Sequence, residues 1–519
     1  MLYSSILFLF LSLVDSLARG AAISYPRPSI YNKSGQYSLK VNGTYMNTVS
    51  YAGYDYVQIS MSSGYATEFR IAATQETSIS SYSINPQNLN IAATTSGNEL
   101  IFSLLEKHYL IVTINNVKEF IIMVDDLETN VPGSSGPNIF NVVDYGATPN
   151  TTAITSAFQA AAYAAGNYSS SGAGIAVVYI PAGLYYVGNV KLQSHTQLYL
   201  EGGSVIRFTG KQSDYTALFT KSGVGPGTWW FQTEPGSSDI SITGRGTFDG
   251  NGYYSLNTGK FIADQIVPVG TSNFYFNGPL VRDSSFWGVT PIQSSNVTFK
   301  NLKILNRQDV GQDDGIDVME CENVLIQRAI AIALDDSFST KTWPFNTGTT
   351  VPYPYQPQAL SNVVFDDCLA WTDCYGYKVG QGVYEDQDAV TFKNSVVYRA
   401  AVGIGIDHRY GTAAATGITF DNIDIQSLSG VNAGHATWLA FFIESEGAGI
   451  GPLNNLAVRN MRVRQTGIYN GTLLGYNSSA IIDGVSFENI YMLQNTTSAK
   501  TLADMKILDV AYVEDVTIM

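Results

Sequence analysis

The sequence predicts an all-β chain in which an N-terminal β-sandwich is followed by a parallel β-helix, and three observations carry that expectation. The 519 residues include 33 tyrosines, 24 phenylalanines and 48 glycines over a low content of helix formers, which suits many short strands and tight turns. Runs that alternate apolar and polar residues crowd the first quarter, as in Tyr37-Ser38-Leu39-Lys40-Val41 and Leu110-Ile111-Val112-Thr113-Ile114, the period of a half-buried strand. Later the chain repeats itself. Asn296-Val-Thr-Phe-Lys-Asn-Leu302 returns at Asn323, Asn362, Ala389, Gly417, Asn455 and Gly484, at spacings of 27, 39, 27, 28, 38 and 29 residues. Such internal repetition marks a solenoid.

The elements follow in chain order. Residues 1–22 read as a secretory signal, with an apolar run from Ile6 to Leu11 ahead of the small residues Ala18, Ala21 and Ala22. That run is far short of the ~20 residues needed to cross a bilayer, and no later stretch is long and apolar enough, so no membrane partner is expected. Eight Asn-X-Ser/Thr triplets, at Asn32, Asn42, Asn150, Asn167, Asn296, Asn470, Asn477 and Asn495, fit a secreted, extracellular glycoprotein. Residues 24–135 are assigned to the β-sandwich. Its acidic pair Asp125-Asp126 reads as a solvated turn. Thr129 to Pro137, rich in Pro, Gly and Ser, reads as a linker.

Residues 138–519 form the second domain. Thr152 to Ala165 is its one convincing helix, with no breaker until Gly166, and would cover the exposed strand edge at the start of the stack. The repeats then define the solenoid. Three strands of about five residues, joined by short turns, take roughly 22 to 28 residues, one coil of a parallel β-helix, in which the same strand of each coil stacks ~4.8 Å above the last. The two longer spacings imply insertions near Trp343 to Leu360 and Asn432 to Leu453, where a solenoid commonly walls its binding face.

Charge and cysteine usage exclude several classes. A net charge of -15 is the wrong sign for a protein that grips phosphate backbones, so nucleic acid is not a partner. Cys321, Cys368 and Cys374 permit one disulfide and match no zinc-ligand spacing. No metal and no cofactor are expected.

The densest acidic group lies inside the repeats: Asp313-Asp314-Gly315-Ile316-Asp317, then Asp335-Asp336-Ser337-Phe338-Ser339-Thr340-Lys341. Asp314 precedes Asp335 and Asp336 by 21 and 22 residues, about one coil, so the three carboxylates should converge on one exposed face. Their mutual repulsion should leave a proton shared among them. One protonated and one ionised carboxylate is what glycoside hydrolysis requires. The rival readings are solvated turns and a calcium site.

At these residues a family likeness becomes specific. Leu280-Val-Arg-Asp-Ser-Ser-Phe-Trp287, Asn296-Val-Thr-Phe299, Asp314-Gly-Ile-Asp317 and Asp335-Asp336, with Asn141-Val-Val-Asp-Tyr-Gly-Ala147, Ile180-Pro-Ala-Gly183 and Asp239-Ile-Ser-Ile-Thr-Gly-Arg-Gly-Thr-Phe-Asp-Gly250 upstream, resemble the polygalacturonase-type glycoside hydrolases. The resemblance runs from about Asn138 to Met519. It implies a right-handed β-helix, inversion at the anomeric carbon, and catalysis by Asp314, Asp335 and Asp336. Asp336 or Asp335 would protonate the leaving oxygen, with Asp336 taken as the acid.

The departures shape the substrate expectation. Polygalacturonases carry Asn-Thr before the first aspartate, a Gly-His-Gly, and an Arg-Ile-Lys that holds the galacturonate carboxylate. Here those stretches read Gln312-Asp313, Cys374-Tyr375-Gly376 and Gly405-Ile406-Asp407 followed by His408-Arg409. An acidic protein without that grip should disfavour a polyanion; inverting β-helix enzymes of the dextranase and isopullulanase family and the α-1,3-glucanase family act on neutral α-glucans, and the chain resembles the dextranase-like enzymes in an N-terminal β-sandwich, three aspartates, and the lack of the histidine and the Arg-Lys pair. A neutral α-glucan is therefore slightly favoured over pectin. The expected substrate contacts are Lys341, Trp343, Tyr375, Lys378, His408 and Arg409, with Trp371 a further candidate for stacking on sugar and Glu444 and Glu446 at the far end of the cleft. The chain is expected to act as a monomer on polysaccharide. A polysaccharide lyase and a non-catalytic carbohydrate-binding solenoid are the alternatives.

Overall fold

The computed structural model describes residues 20–151, 154–344, 352–429 and 436–519. The expected secretory leader falls almost wholly outside that set, as do parts of both expected insertions. The chain divides into two compact units, residues 1–131 and 132–519.

In the first unit the alternation becomes burial. Tyr37–Val41 and Thr67–Ala73 bury every second side chain, and with Thr44–Tyr45, Ala93–Ser96 and Glu99–Leu104 they form an antiparallel sheet. A second sheet holds Ala22–Ser24, Val49–Ser50, Asp55–Met61, Tyr82–Asn85, Tyr109–Ile114 and Phe120–Asp126. Both sheets feed one apolar cluster, where Tyr37 stacks on Phe120 at 5.0 Å and Phe69 on Phe102 at 5.3 Å. Phe120–Asp126 pairs in parallel with Asp55–Met61 and is buried on both faces. Asp125 therefore corrects the solvated-turn reading: it is buried within that strand, where it accepts the Tyr109 hydroxyl at 2.6 Å.

The second unit is a parallel β-helix. Its opening helix, Thr155–Tyr168, buries Ala157, Phe158, Ala161, Ala162 and Ala165. It runs past Gly166, read from sequence as a breaker. A Cβ at Gly166 would meet the Gln193 side chain at 2.7 Å, so glycine is retained here for close packing.

One sheet of 18 strands runs from Ile139–Asn141 to Val513–Ile518. Its central register is that of the heptapeptide repeat: Val297 pairs with Val324, Val324 with Val363, Val363 with Val390, and Leu456 with Val485. The repeat's fourth residue builds an internal aromatic ladder, Phe365 on Phe392 at 4.7 Å and Phe392 on Phe420 at 5.1 Å. Its first and sixth residues turn corners in the left-handed region, as at Asn296, Asn323, Asn362, Asn301, Asn394, Asn422, Asn460 and Asn489. Asparagine tolerates that conformation because its short amide bonds locally. Here the amides also bond from coil to coil, Asn422 Nδ2 to Asn394 Oδ1 at 2.9 Å and Asn489 Nδ2 to Asn460 Oδ1 at 3.1 Å. Each recurring asparagine thus answers a backbone demand and a stacking demand together.

A second column of parallel strands begins with Val190–Leu192, Gly225–Thr233 and Ile262–Val267, passes through isolated bridges at Val289, and continues as Ile316–Met319, Phe338–Thr342, Tyr375–Val383, Val402–Tyr410, Thr437–Ile443, Gly471–Leu474 and Ile507–Ala511. The acidic group sits on this column.

Candidate active site

Coil stacking brings the aspartates together. Ile316 pairs with Phe338 and Phe338 with Tyr377, so Asp314, two residues before its strand, occupies the same position as Asp336 one coil later. Gly315 permits the approach. Its amide donates to the Asp336 carbonyl at 2.8 Å, and a Cβ there would lie 2.3 Å from the Ser337 carbonyl oxygen. Asp335 follows along, with a carboxylate oxygen within 4.8 Å of one on Asp336. Asp313 clamps the turn that carries the pair, its Oδ1 accepting the amides of Leu334 at 2.8 Å and Asp335 at 3.2 Å. Gln312 Nε2 reaches Asp335 Oδ2 at 3.4 Å. The departures from the family's Asn-Thr thus make contacts of their own.

Sequence spacing placed these carboxylates on an open face; the structure corrects this. Asp314 and Asp336 are 3% and 2% exposed, and Asp335 is half-buried. Burying charge is tolerable only with partners, and two lysines supply them. Lys341 Nζ lies 2.5 Å from Asp314 Oδ2, 2.7 Å from Asp317 Oδ1 and 3.9 Å from Asp336 Oδ2, and sits over the Trp287 ring at 4.5 Å. Lys378 Nζ lies 3.0 Å from Asp336 Oδ2 and 3.7 Å from Asp407 Oδ2.

These contacts split the carboxylates. Burial works to raise Asp336, yet Lys378 and Lys341 outweigh it and hold its pKa below the ordinary value. For Asp314, burial and the neighbouring Asp317 charge outweigh Lys341 and push the carboxyl well up. Burial likewise raises Asp317 against the pull of Lys341. For both lysines burial is the largest influence and works to lower the pKa, but the surrounding carboxylates overcome it and keep the ammoniums charged. Asp336 and Asp314 are thus shifted in opposite directions, and such asymmetry between neighbouring carboxyls suits acid/base chemistry.

The three aspartates line one cavity of about 330 Å³ together with Lys341, Trp343 and Lys378, all expected from the sequence. Trp287, Gln312, Gln381, Tyr384, Tyr410 and Lys221 also line it, and the sequence reading gave none of these a substrate role. Trp343 packs near Tyr410 and Tyr384, with ring centroids 5.7 and 6.2 Å away. Lys221 comes from Phe219–Lys221, which pairs antiparallel with Gly225–Thr233, away from the repeats; no local pattern marks it.

The other expected contacts fall outside the cavity lining. His408 shares the inward face of its strand with Ile404 and Ile406, fully buried, with Nε2 2.9 Å from the Ala413 carbonyl; burial lowers its pKa. Strand alternation turns it into the core. Arg409 is taken up by Asp407 at 2.8 Å and by Glu446 and Glu444 at 3.4 and 3.9 Å, so the two glutamates serve that arginine and do not line the cavity. Tyr375 lies buried with Lys378 Nζ 4.5 Å from its ring centroid. Trp371 is buried and packs edge-on against Tyr398 at 5.2 Å.

The three cysteines are free, although the sequence would allow one disulfide. Cys374 Sγ lies within 4.8 Å of carboxylate oxygens of Asp335 and Asp336, the one group of potential metal ligands among the described residues. A thiolate suits soft metals and not the oxygen cage of calcium. Burial raises the Cys374 thiol well above its ordinary value, and Asp336 is already engaged by Lys378. No helix of the described residues is long and apolar enough to cross a membrane.

Comparison with known proteins bears on this site. A probable polygalacturonase of Vitis vinifera is 24% identical over 284 residues, which cover 51% of this chain and 57% of that protein. A probable exopolygalacturonase X of Neosartorya fischeri is 30% identical over 145 residues, covering 26% and 33%. The chain thus spans about half of the first relative's length and a third of the second's. Among solved structures, a hyperthermoactive exopolygalacturonase from Thermotoga maritima superposes with a TM-score of 0.50 at 16% identity, over 76% of this chain and 93% of that one, which bears on the fold. The profile of glycosyl hydrolases family 28 matches residues 171–433. That stretch is half of the chain and contains every aspartate and lysine of the cavity, and the chain belongs to glycosyl hydrolases family 28.

Proposed function

We propose that the chain hydrolyses an α-linked uronate polysaccharide of the polygalacturonate type, with inversion, using Asp314, Asp335 and Asp336. The observation that carries the reading is the in-register stacking of Asp314 and Asp336 beside Asp335, with burial raising Asp314 and two lysines lowering Asp336. Asp336, kept ionised, takes a proton from the attacking water, and Asp314 on the shared Lys341 orients that water. Asp335, which contacts no lysine among the described residues and reaches the cavity, donates the proton to the leaving oxygen. This reverses the sequence-based choice of Asp336 as the acid, because Lys378 and Lys341 stabilise the form that has no proton to give.

The substrate reading also replaces the neutral α-glucan favoured from the sequence. Family membership and the names of both relatives support a uronate, as do three lysines around one cavity. A lyase is less well supported, because the matching family is one of glycosyl hydrolases and both relatives are named polygalacturonases. Secretion through residues 1–22, with glycans on the eight triplets, and a β-sandwich fold for residues 24–135 belong to the same proposal; none of the eight asparagines is buried. The test offers purified protein polygalacturonate, dextran, pullulan and α-1,3-glucan side by side, with the product anomer followed by NMR. Preferential cleavage of polygalacturonate with inversion is expected. Preferential cleavage of a neutral glucan, an unsaturated product, or retained configuration would each refute the proposal.

A further inference from the structure

The cavity carries three ammoniums, and they are not equivalent. Lys341 and Lys378 are each within 4.0 Å of at least two aspartates, so their charge is spent inside the protein. Lys221 has no ion pair or side-chain hydrogen bond with another described residue, although it lines the same cavity as Asp314, Asp335 and Lys341. It is half-buried; desolvation and the nearby Lys341 charge lower its pKa, and Asp314 and Asp335 only partly offset them. A desolvated cation with an unanswered charge is stabilised by an incoming anion. The positions where polygalacturonases carry their Arg-Lys pair hold Gly405 and Asp407 here, and Asp407 is a carboxylate that already binds Lys378 and Arg409.

Resting on the uronate substrate proposed above, we infer that Lys221 is the carboxylate grip of this enzyme, delivered by the Phe219–Lys221 hairpin in place of the missing pair, and that it sets the preference for a charged over an uncharged sugar. Gln381 and Tyr384 around the same cavity are left to bond hydroxyls.

The test compares wild type with Lys221→Met and Lys221→Arg on oligogalacturonate and on the same oligomer with its carboxyls reduced to alcohols. Wild type is expected to prefer the acid, with kcat/KM falling as salt rises. A charge-assisted hydrogen bond contributes enough for Lys221→Met to lose roughly 10- to 100-fold in kcat/KM on the acid, chiefly in KM, with a flattened salt dependence. The loss on the reduced oligomer is at least tenfold smaller, and Lys221→Arg keeps most of the preference. Thermal unfolding of each variant separates binding from folding. A Lys221→Met enzyme that discriminates as well as wild type overturns the Lys221 assignment alone. A wild type that cleaves the reduced oligomer as readily as the acid overturns the uronate substrate and Lys221 with it.

Discussion

Replacing Lys378 with methionine removes the nearer of the two ammoniums on Asp336 and should let that carboxylate take up its proton at a higher pH than in wild type. With Nζ 3.0 Å from Oδ2 and an effective dielectric of ~20, Coulomb's law gives about 5.5 kcal/mol, or roughly 4 pKa units. Lys341 remains at 3.9 Å and water can enter beside the shorter side chain, so the expected rise is about 2 units, within the range for an opposite charge at contact. The assay is kcat/KM against pH on oligogalacturonate. In wild type the acid limb lies below the ordinary carboxylate range, because Asp336 is held low; in Lys378→Met it moves up by about 2 units, with the plateau at higher pH less affected. Stability follows the same linkage. A carboxylate with a depressed folded pKa adds stability above its unfolded pKa, near 3.9, and loses it as pH falls through the folded value. The variant is therefore most destabilised near neutrality, and the gap to wild type narrows as pH drops. An acid limb that stays within half a unit of wild type would refute the claim that Lys378 sets the state of Asp336.

Asp313→Ala leaves the half-buried amides of Leu334 and Asp335 without their acceptor, a loss of about 1–2 kcal/mol in denaturant unfolding with a fall in kcat, while Asp313→Asn, which keeps an acceptor oxygen, recovers most of both. Tyr375→Phe keeps both the ring beside Lys378 and the backbone amide on Asp336 and removes only a hydroxyl from a residue outside the cavity lining, so kcat/KM should change by no more than about twofold, ~0.4 kcal/mol; a tenfold loss would return Tyr375 to the site. Phe392→Ala removes the middle ring of the Phe365, Phe392 and Phe420 stack and should cost about 3–5 kcal/mol of unfolding free energy, with little effect on KM at temperatures where the variant is folded.

Much of the site was legible because its spacing equals one coil. Asp314 and Asp336 are 22 residues apart, and a solenoid converts that interval into contact by repetition. Lys341, Trp343 and Lys378 follow from strand positions on the same column. His408 falls outside the cavity lining: a histidine in an apolar, glycine-rich strand needs a polar partner, which sequence takes to be substrate, whereas its strand face points inward and the Ala413 carbonyl satisfies one ring nitrogen. Arg409 falls outside the lining for a different reason. Its partners Glu444 and Glu446 sit one coil away, and the expectation placed all three in the cleft when they compensate one another beside it.

What the sequence alone determined is whatever a coil demands of itself: the alternation of strands, the phenylalanine that fills the interior, and the asparagines that turn corners with φ near 55°. Those demands recur at every rung, so they leave a periodic trace. The electrostatic state of the site is decided by tertiary structure. Whether Asp336 is ionised depends on two lysines 5 and 42 residues further along, the second of which meets it only once the next coil is stacked, and the unanswered charge of Lys221 depends on a hairpin outside the repeat. Coulomb energies fall with distance in space and are indifferent to distance along the chain, so no periodicity in the sequence records them.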